Sequence, residues 1–224
     1  MRYINNRNKE PKELVEYRKT SGVVYDDLGK ERKDIIRDCL LDEQGYICAY
    51  CMGRISSSTC TIEHYISQTR HETSPFSEKE HKRQSLLYSN MSGVCINDSE
   101  HCDKKRGNVP LKILDPHNPL CEEFVTYSFS GRILPTGREE DKVKEDIQTL
   151  GLDCDKLVKL RKAVWDEIWE RFIKDHEKKK WSKELFLEYA SNYRTKQCKR
   201  HGIMKFHAYC NFIAWGFEQY ANKY

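Results

Sequence analysis

The chain has 224 residues, of which 33% are charged and 11% aromatic, with a formal net charge of +4. The mean hydropathy is −0.83, and no apolar run approaches the ~18 residues of a membrane span, which excludes a transmembrane helix. The aromatic content is enough to build cores and excludes a disordered polymer, while the mild basic excess permits nucleic-acid binding without demonstrating it.

The opening stretch Met1 to Lys9 has no apolar centre and does not read as a secretory signal. Ten cysteines without such a signal point to a reducing compartment, the cytoplasm, and away from a disulfide framework. A short helix is predicted over Lys12–Lys19, with Pro11 suited to its start. A second is predicted over Lys30–Glu43, with Ile35, Ile36, Cys39 and Leu40 as its apolar stripe and Gly45 as its stop. From Tyr46 to Asp115 the pattern is irregular. Thr59–Ile66 is rich in β-branched and aromatic residues and reads as a strand. Gln68–Gln84 is polar and reads as a loop. Leu86–Val94 can form a second strand, interrupted at Ser92-Gly93, and a short helix can start at Asp103, limited by Pro110.

Asp115–Arg138 reads as turns plus one hairpin, with strands at Phe124–Phe129 and Ile133-Leu134. Beyond Glu139 the signal is helical. Val143, Ile147 and Leu150 form one stripe, with Gly151 as its stop. Leu157, Leu160, Val164, Ile168 and Phe172 mark a long helix. Leu185, Leu187 and Tyr189 mark another. Phe206, Tyr209, Ile213, Phe217 and Tyr220 mark the last, with its aromatics in the core. No internal repeat is evident. The expected class is α+β, mainly helical.

The chemistry concentrates in the irregular region. Cys48-x2-Cys51 is a tight zinc half-site, and Cys95-x6-Cys102 is a wider candidate for the other half, leaving His101 as an alternative ligand. Cys39, Cys60, Cys121, Cys154, Cys198 and Cys210 have no pairing spacing and read as buried thiols. Between the two halves lies Glu63-His64. A carboxylate can ligate a hard divalent ion such as Mg²⁺, and an imidazole can take a proton from water. Strand neighbours point to opposite faces, so the two can share a site only if the strand bends or ends there. Asp103, fixed beside Cys102, can be a second ligand to such an ion. Asn90 offers an amide that can fix the His64 ring or its loop. Lys104, Lys105 and Arg106 can bind phosphate. Two other basic clusters, Lys178-Lys179-Lys180 and Arg194, Lys196, Lys199 and Arg200, read as solvated faces. There is no Gly-x4-Gly-Lys-Ser/Thr pattern, so any ATP dependence must come from a partner.

In this order the residues resemble the HNH or ββα-metal endonucleases: Cys-x2-Cys, acid-His, Asn, then a cysteine pair followed at once by a ligand and a basic residue. The chain looks more closely like the PtuB subgroup, nuclease subunits of Septu-type and retron-associated antiphage systems. That likeness is carried by Glu43-Gln44 before Ile47-Cys48-Ala49-Tyr50-Cys51, by Ile62-Glu63-His64-Tyr65, by Ser89-Asn90-Met91 and by Cys102-Asp103 with Gly107. Met1-Arg2-Tyr3-Ile4, Glu10-Pro11 and Leu150-Gly151-Leu152 also fit. The resemblance implies structural zinc on Cys48, Cys51, Cys95 and Cys102. It implies a catalytic Mg²⁺ or Mn²⁺ on Glu63 and Asp103, His64 as general base and Asn90 as the middle Asn. Arg106 stands where many members have Lys. It also implies a PtuA-like ABC/SMC-type ATPase as partner, and a retron reverse transcriptase with its msDNA in the retron-linked members. The substrate the resemblance implies is DNA by preference, or tRNA. A zinc-stabilised nucleic-acid or partner-binding module without catalysis is the alternative. The implied layout is an N-terminal helical segment at 1–45, an HNH core at 46–115 and a C-terminal helical region at 116–224, packed together as one body.

Overall fold

The computed structural model describes residues 1–5, 10–97, 99–177, 180–195 and 202–224, and the backbone of 197–198. Lys178 and Lys179, and Lys196, Lys199 and Arg200, of the two outer basic clusters lie outside the described residues, as does the Cys198 side chain. The protein is α+β and mainly helical. Helix α1 spans Lys12–Arg18 and α2 spans Lys30–Glu43, where Ile36 and Leu40 are fully buried and Ile35 and Cys39 only partly so. Gln44 caps α2, and Gly45 follows with φ +59, a conformation in which the missing Cβ removes the strain.

Strands β1 (Cys60–His64) and β2 (Met91–Cys95) pair antiparallel, placing Glu63 opposite Ser92 and His64 opposite Met91. The strand runs through Ser92-Gly93 rather than breaking there. Gly93 is required because the Gln44 side chain docks on its backbone. Gln44 Oε1 accepts from Gly93 N at 2.6 Å, and Gln44 Nε2 donates to Gly93 O at 2.7 Å. A Cβ at Gly93 would lie 3.0 Å from Cys60 Sγ and 3.3 Å from Gln44 Oε1. Helix α4 (Cys102–Arg106) completes a ββα unit and ends at Gly107, φ +58, three residues before Pro110.

Between the strands, the expected loop over Gln68–Gln84 contains a helix, α3, at Glu78–Gln84. Ser77 Oγ accepts from Glu80 N at 3.2 Å, so the Ser-x-x-Glu pattern here is a helix start. The second strand is also shorter than expected, because Tyr88–Asn90 forms a 3-10 turn. One face of the hairpin meets the N-terminal segment: Met91 and Ile62 pack with Leu14, Tyr25, Leu28, Ile36 and Leu40.

The second hairpin, β3 (Val125–Tyr127) with β4 (Ile133–Pro135), precedes α5 (Glu140–Thr149) and α6 (Asp155–Asp175). Asp146, buried on α5, accepts from the backbone N–H groups of Lys112, Ile113 and Leu114 and ties the chain after α4 to this helix. On α6 the inward stripe is Leu157, Arg161, Trp165, Ile168 and Phe172, while the expected Leu160 is 43% exposed. Arg161 can face inward because its guanidinium donates to Gly131 O at 3.0 Å and Leu152 O at 2.8 Å. On α7 (Lys183–Tyr193) Phe186 and Ala190 face the core, and the expected Leu187 does not. Positions 185, 187 and 189 follow a period of two, which a helix cannot place on one face.

A two-residue hairpin, β5 (Gln197-Cys198) with β6 (Met204-Lys205), precedes α8 (Cys210–Ala221). Phe206 lies before α8, not in it, and its N–H donates to Gly45 O at 3.0 Å. Trp165, Trp169, Phe172, Phe186, Phe217 and Tyr220 pack ring on ring, as the aromatic pattern suggested. Cys60, Cys121 and Cys210 are buried, whereas Cys39 and Cys154 are only half-buried. Among the described residues no helix is long and apolar enough to cross a membrane.

Helix α8 meets α6 closely at Gly216, where a Cβ would lie 2.2 Å from the Trp165 ring. A Gly216→Ala variant is expected to lose about 1–3 kcal/mol through overpacking. Chemical denaturation monitored by tryptophan fluorescence measures it.

Candidate active site

Four sulfur atoms converge behind the hairpin. The ligand atoms of Cys48, Cys51, Cys95 and Cys102 all lie within 4.8 Å of one another. Cys48 Sγ is 3.8 Å from Cys102 Sγ, and Cys51 Sγ is 3.8 Å from Cys95 Sγ. A regular tetrahedron with Zn–S bonds of about 2.3 Å has sulfur–sulfur edges of about 3.8 Å. These spacings are far too long for a disulfide. The loop that presents Cys48 and Cys51 is closed by Met52 N donating to Cys48 O, and Met52 takes φ +62 to complete the turn. Cys95 N and Gly53 N lie 3.4 Å from Cys48 Sγ and Cys51 Sγ, donors that favour thiolates. Cys102 also has a left-handed backbone, φ +58, and its N–H donates to Leu150 O at 2.7 Å. His101 Nδ1 is 3.2 Å from Cys102 Sγ, and the four sulfurs form a complete set without it. The donor set therefore fits zinc.

Strand β1 ends at His64, and its last two side chains diverge. Glu63 is buried and aimed at Tyr50, which lies inside the Cys-x2-Cys loop. Tyr50 Oη donates to Glu63 Oε1 at 3.2 Å, and Arg106 Nη1 donates to the same oxygen at 2.5 Å. The Asp103 carboxyl comes within hydrogen-bonding reach of Glu63. Burial, then Asp103, push the Glu63 carboxyl up to about 8 against the pull of Arg106. A carboxyl pair in reach of one another offers hard oxygen donors, which fits a divalent cation such as Mg²⁺.

His64 is 3% exposed. Its Nε2 lies 3.0 Å from Ser85 O, and a carbonyl can only accept, so Nε2 carries the proton. The lone pair is then on Nδ1, which accepts from Gln68 Nε2 at 3.3 Å. Burial holds the ring's pKa down to about 4, while the Ser85 carbonyl and the Asp103 charge pull the other way. At neutral pH His64 is an uncharged imidazole with its basic nitrogen oriented by the backbone.

Asn90 fixes the loop rather than the ring. Its Oδ1 accepts from Ile66 N at 2.7 Å, and its Nδ2 donates to Ile66 O and Gln84 O, both at 3.0 Å. Lys104 and Lys105 are exposed on α4 beside Asp103. Arg106, expected to bind phosphate, is instead buried. Besides Glu63, its guanidinium donates to Val109 O, Tyr50 Oη, His64 O and Tyr65 O. A side chain with five protein acceptors is committed to holding the site's geometry and does not reach out to a ligand. Tyr50, Gln68 and Ser85 escaped sequence reasoning. Tyr50 alone had a local signal, an aromatic residue between two metal-spaced cysteines.

No family model matches the chain. It is 27% identical over 154 residues, 64% of this chain and 71% of the relative, to a Vibrio cholerae serotype O1 biovar El Tor protein named "Retron Vc95 putative HNH endonuclease". The likeness is to a protein carrying that name alone. It supports the resemblance to HNH endonucleases read from the motifs and does not extend to the PtuB subgroup.

Two measurements test the site. Elemental analysis of the purified chain is expected to find one zinc per molecule, and Cys102→Ser is expected to lose the metal and several kcal/mol of stability. The second concerns pH. A carboxyl with its folded pKa raised from 4.5 to about 8 costs stability as pH rises between those values. A histidine depressed from 6.5 to about 4 costs stability as pH falls between those values. The two oppose each other below pH 6.5. Above it the buried Met1 amine, held below its ordinary value by desolvation, gains stability with rising pH and opposes Glu63, so Glu63 is read by difference. Relative to Glu63→Gln, zinc-loaded parent protein freed of other divalent ions is expected to lose on the order of 1–2 kcal/mol between pH 6.5 and 8. Urea titrations of the two proteins measure the difference.

Proposed function

We propose that the chain is a metal-dependent HNH endonuclease that hydrolyses nucleic-acid phosphodiester bonds. The observation that carries this reading is the neutral His64, its Nε2 proton given to Ser85 O and its Nδ1 lone pair oriented, at the end of the strand that carries Glu63 and within range of the Asp103 charge. His64 Nδ1 takes the proton of a water as that water attacks phosphorus in line, and the bond to the leaving 3′ oxygen breaks. A Mg²⁺ or Mn²⁺ ion held by Glu63 and Asp103 would stabilise the charge that develops on the phosphate and the leaving oxygen. Asn90 acts through the loop after His64, keeping the imidazole in register. Lys104 and Lys105 contact the phosphates flanking the cut, and Arg106 orients Glu63.

The named relative belongs to a retron. That supports a retron-related context for this chain. On the motif resemblance we read it further as the effector subunit of an antiphage complex in the cytoplasm, of the PtuB kind. Its partner is then a PtuA-like ABC/SMC ATPase, with a retron reverse transcriptase and its msDNA in the same assembly. DNA is the favoured substrate and tRNA the other. With Mg²⁺ or Mn²⁺, His64→Ala is expected to lower the cleavage rate by about 10²–10⁴-fold while zinc content stays unchanged. Gel assays on DNA and total tRNA measure this, and equal cutting by parent and variant would remove His64 as the base. Binding with no cleavage under any metal would favour the non-catalytic module instead.

A further inference from the structure

A cavity of about 600 Å³ is lined by residues that surround the buried His64 ring. Three groups in contact with the imidazole also line it. They are the Tyr25 ring, edge-on with centroids 4.5 Å apart, the Gln68 amide on Nδ1, and Ser85, whose carbonyl takes the Nε2 proton. Gln68 is exposed, so a water that takes its place on Nδ1 sits at the mouth of this cavity.

The size and lining define what enters. Ligand cavities run to roughly 300–1,000 Å³, which matches one nucleotide and is far too small for a duplex. Arg70 and Lys82, both exposed, bring two cations to the lining from separate parts of the chain, the segment after β1 and helix α3. Arg70 is braced by its Nε donating to Phe76 O at 3.0 Å. Asp26 and Glu78 also line the cavity, so it is not a general trap for polyanions. A nucleotide satisfies this mixture, with its phosphate on the cations and its base amino groups on the carboxylates.

We propose that this cavity is a subsite for one unpaired nucleotide beside the scissile phosphate, with Arg70 and Lys82 holding that nucleotide's phosphate. The chain is then a nuclease for single strands, or for nucleotides extruded from a helix. This rests on His64 being the base of a nuclease.

The test uses the full-length His64→Ala protein, which binds without cutting. Fluorescence anisotropy compares a labelled single-stranded DNA, the RNA of the same sequence, and the DNA duplex. One of the single strands is expected to bind at least about tenfold tighter than the duplex, and which one identifies the sugar. Arg70→Glu and Lys82→Glu, each added to His64→Ala, are expected to weaken single-strand binding about tenfold. Each is also expected to reduce the salt slope by roughly one. Unchanged melting curves exclude misfolding as the cause. Equal affinity for duplex and single strand, or charge reversals that leave single-strand binding intact, would overturn the subsite. Undiminished cleavage by the His64→Ala protein would instead remove His64 as the base, and no cleavage by the parent protein under any metal would overturn the nuclease reading, so these failures are distinguishable from failure of the subsite.

Discussion

The meeting of Cys48, Cys51, Cys95 and Cys102 binds three separate stretches of chain to one point: the turn after α2, the end of β2 and the start of α4. Without a cation, four buried sulfurs in this space repel as thiolates or sit desolvated as thiols. With a tetrahedral metal they become the strongest local constraint in the molecule. The register of the hairpin carries that constraint to the site. Cys60 pairs with Cys95, and counting along the same ladder places Glu63 opposite Ser92 and His64 at the last paired position.

The link from the thiols to the candidate catalytic groups is a buried polar network, not direct contact. Tyr50 belongs to the cysteine loop yet donates to Glu63, and Arg106 on α4 donates to both Tyr50 and Glu63. A lone buried carboxylate beside a second one would cost several kcal/mol. Arg106 offsets part of that cost and holds Glu63 by its Oε1. The same guanidinium holds the backbone carbonyls of His64 and Tyr65, so the end of the strand cannot drift.

The chemistry was legible in the sequence wherever ligand and reactive residues lie next to one another in the chain. Cys48-x2-Cys51, Glu63-His64 and Cys102-Asp103 each announce themselves by spacing. Helices α2, α5 and α6 were legible because their stripes follow a true 3.6 period. Legibility failed where a role depends on distant chain. Gln68 and Ser85 look like loop residues until the fold sets them on either side of an imidazole. Arg106 looks like a phosphate ligand because charge next to a site is easily read and burial is not. Arg161 and Asp146 were invisible because their partners are backbone groups at other points in the chain. Helix α3 was missed by letting a charged composition outweigh its cap.

The hydrogen bond from Cys102 N to Leu150 O has a consequence for how such a protein can be divided. Gly151, just after that carbonyl, admits no side chain, since a Cβ would come within 2.4 Å of Glu100 O. Asp146 meanwhile clasps the backbone at 112–114. The ββα unit therefore leans on residues some forty positions downstream for the posture of its last sulfur ligand. Excising it as a minimal cassette, or grafting it onto a foreign scaffold, would leave that ligand without its brace. Recombination that keeps the ββα motif must carry the α5–α6 junction along with it.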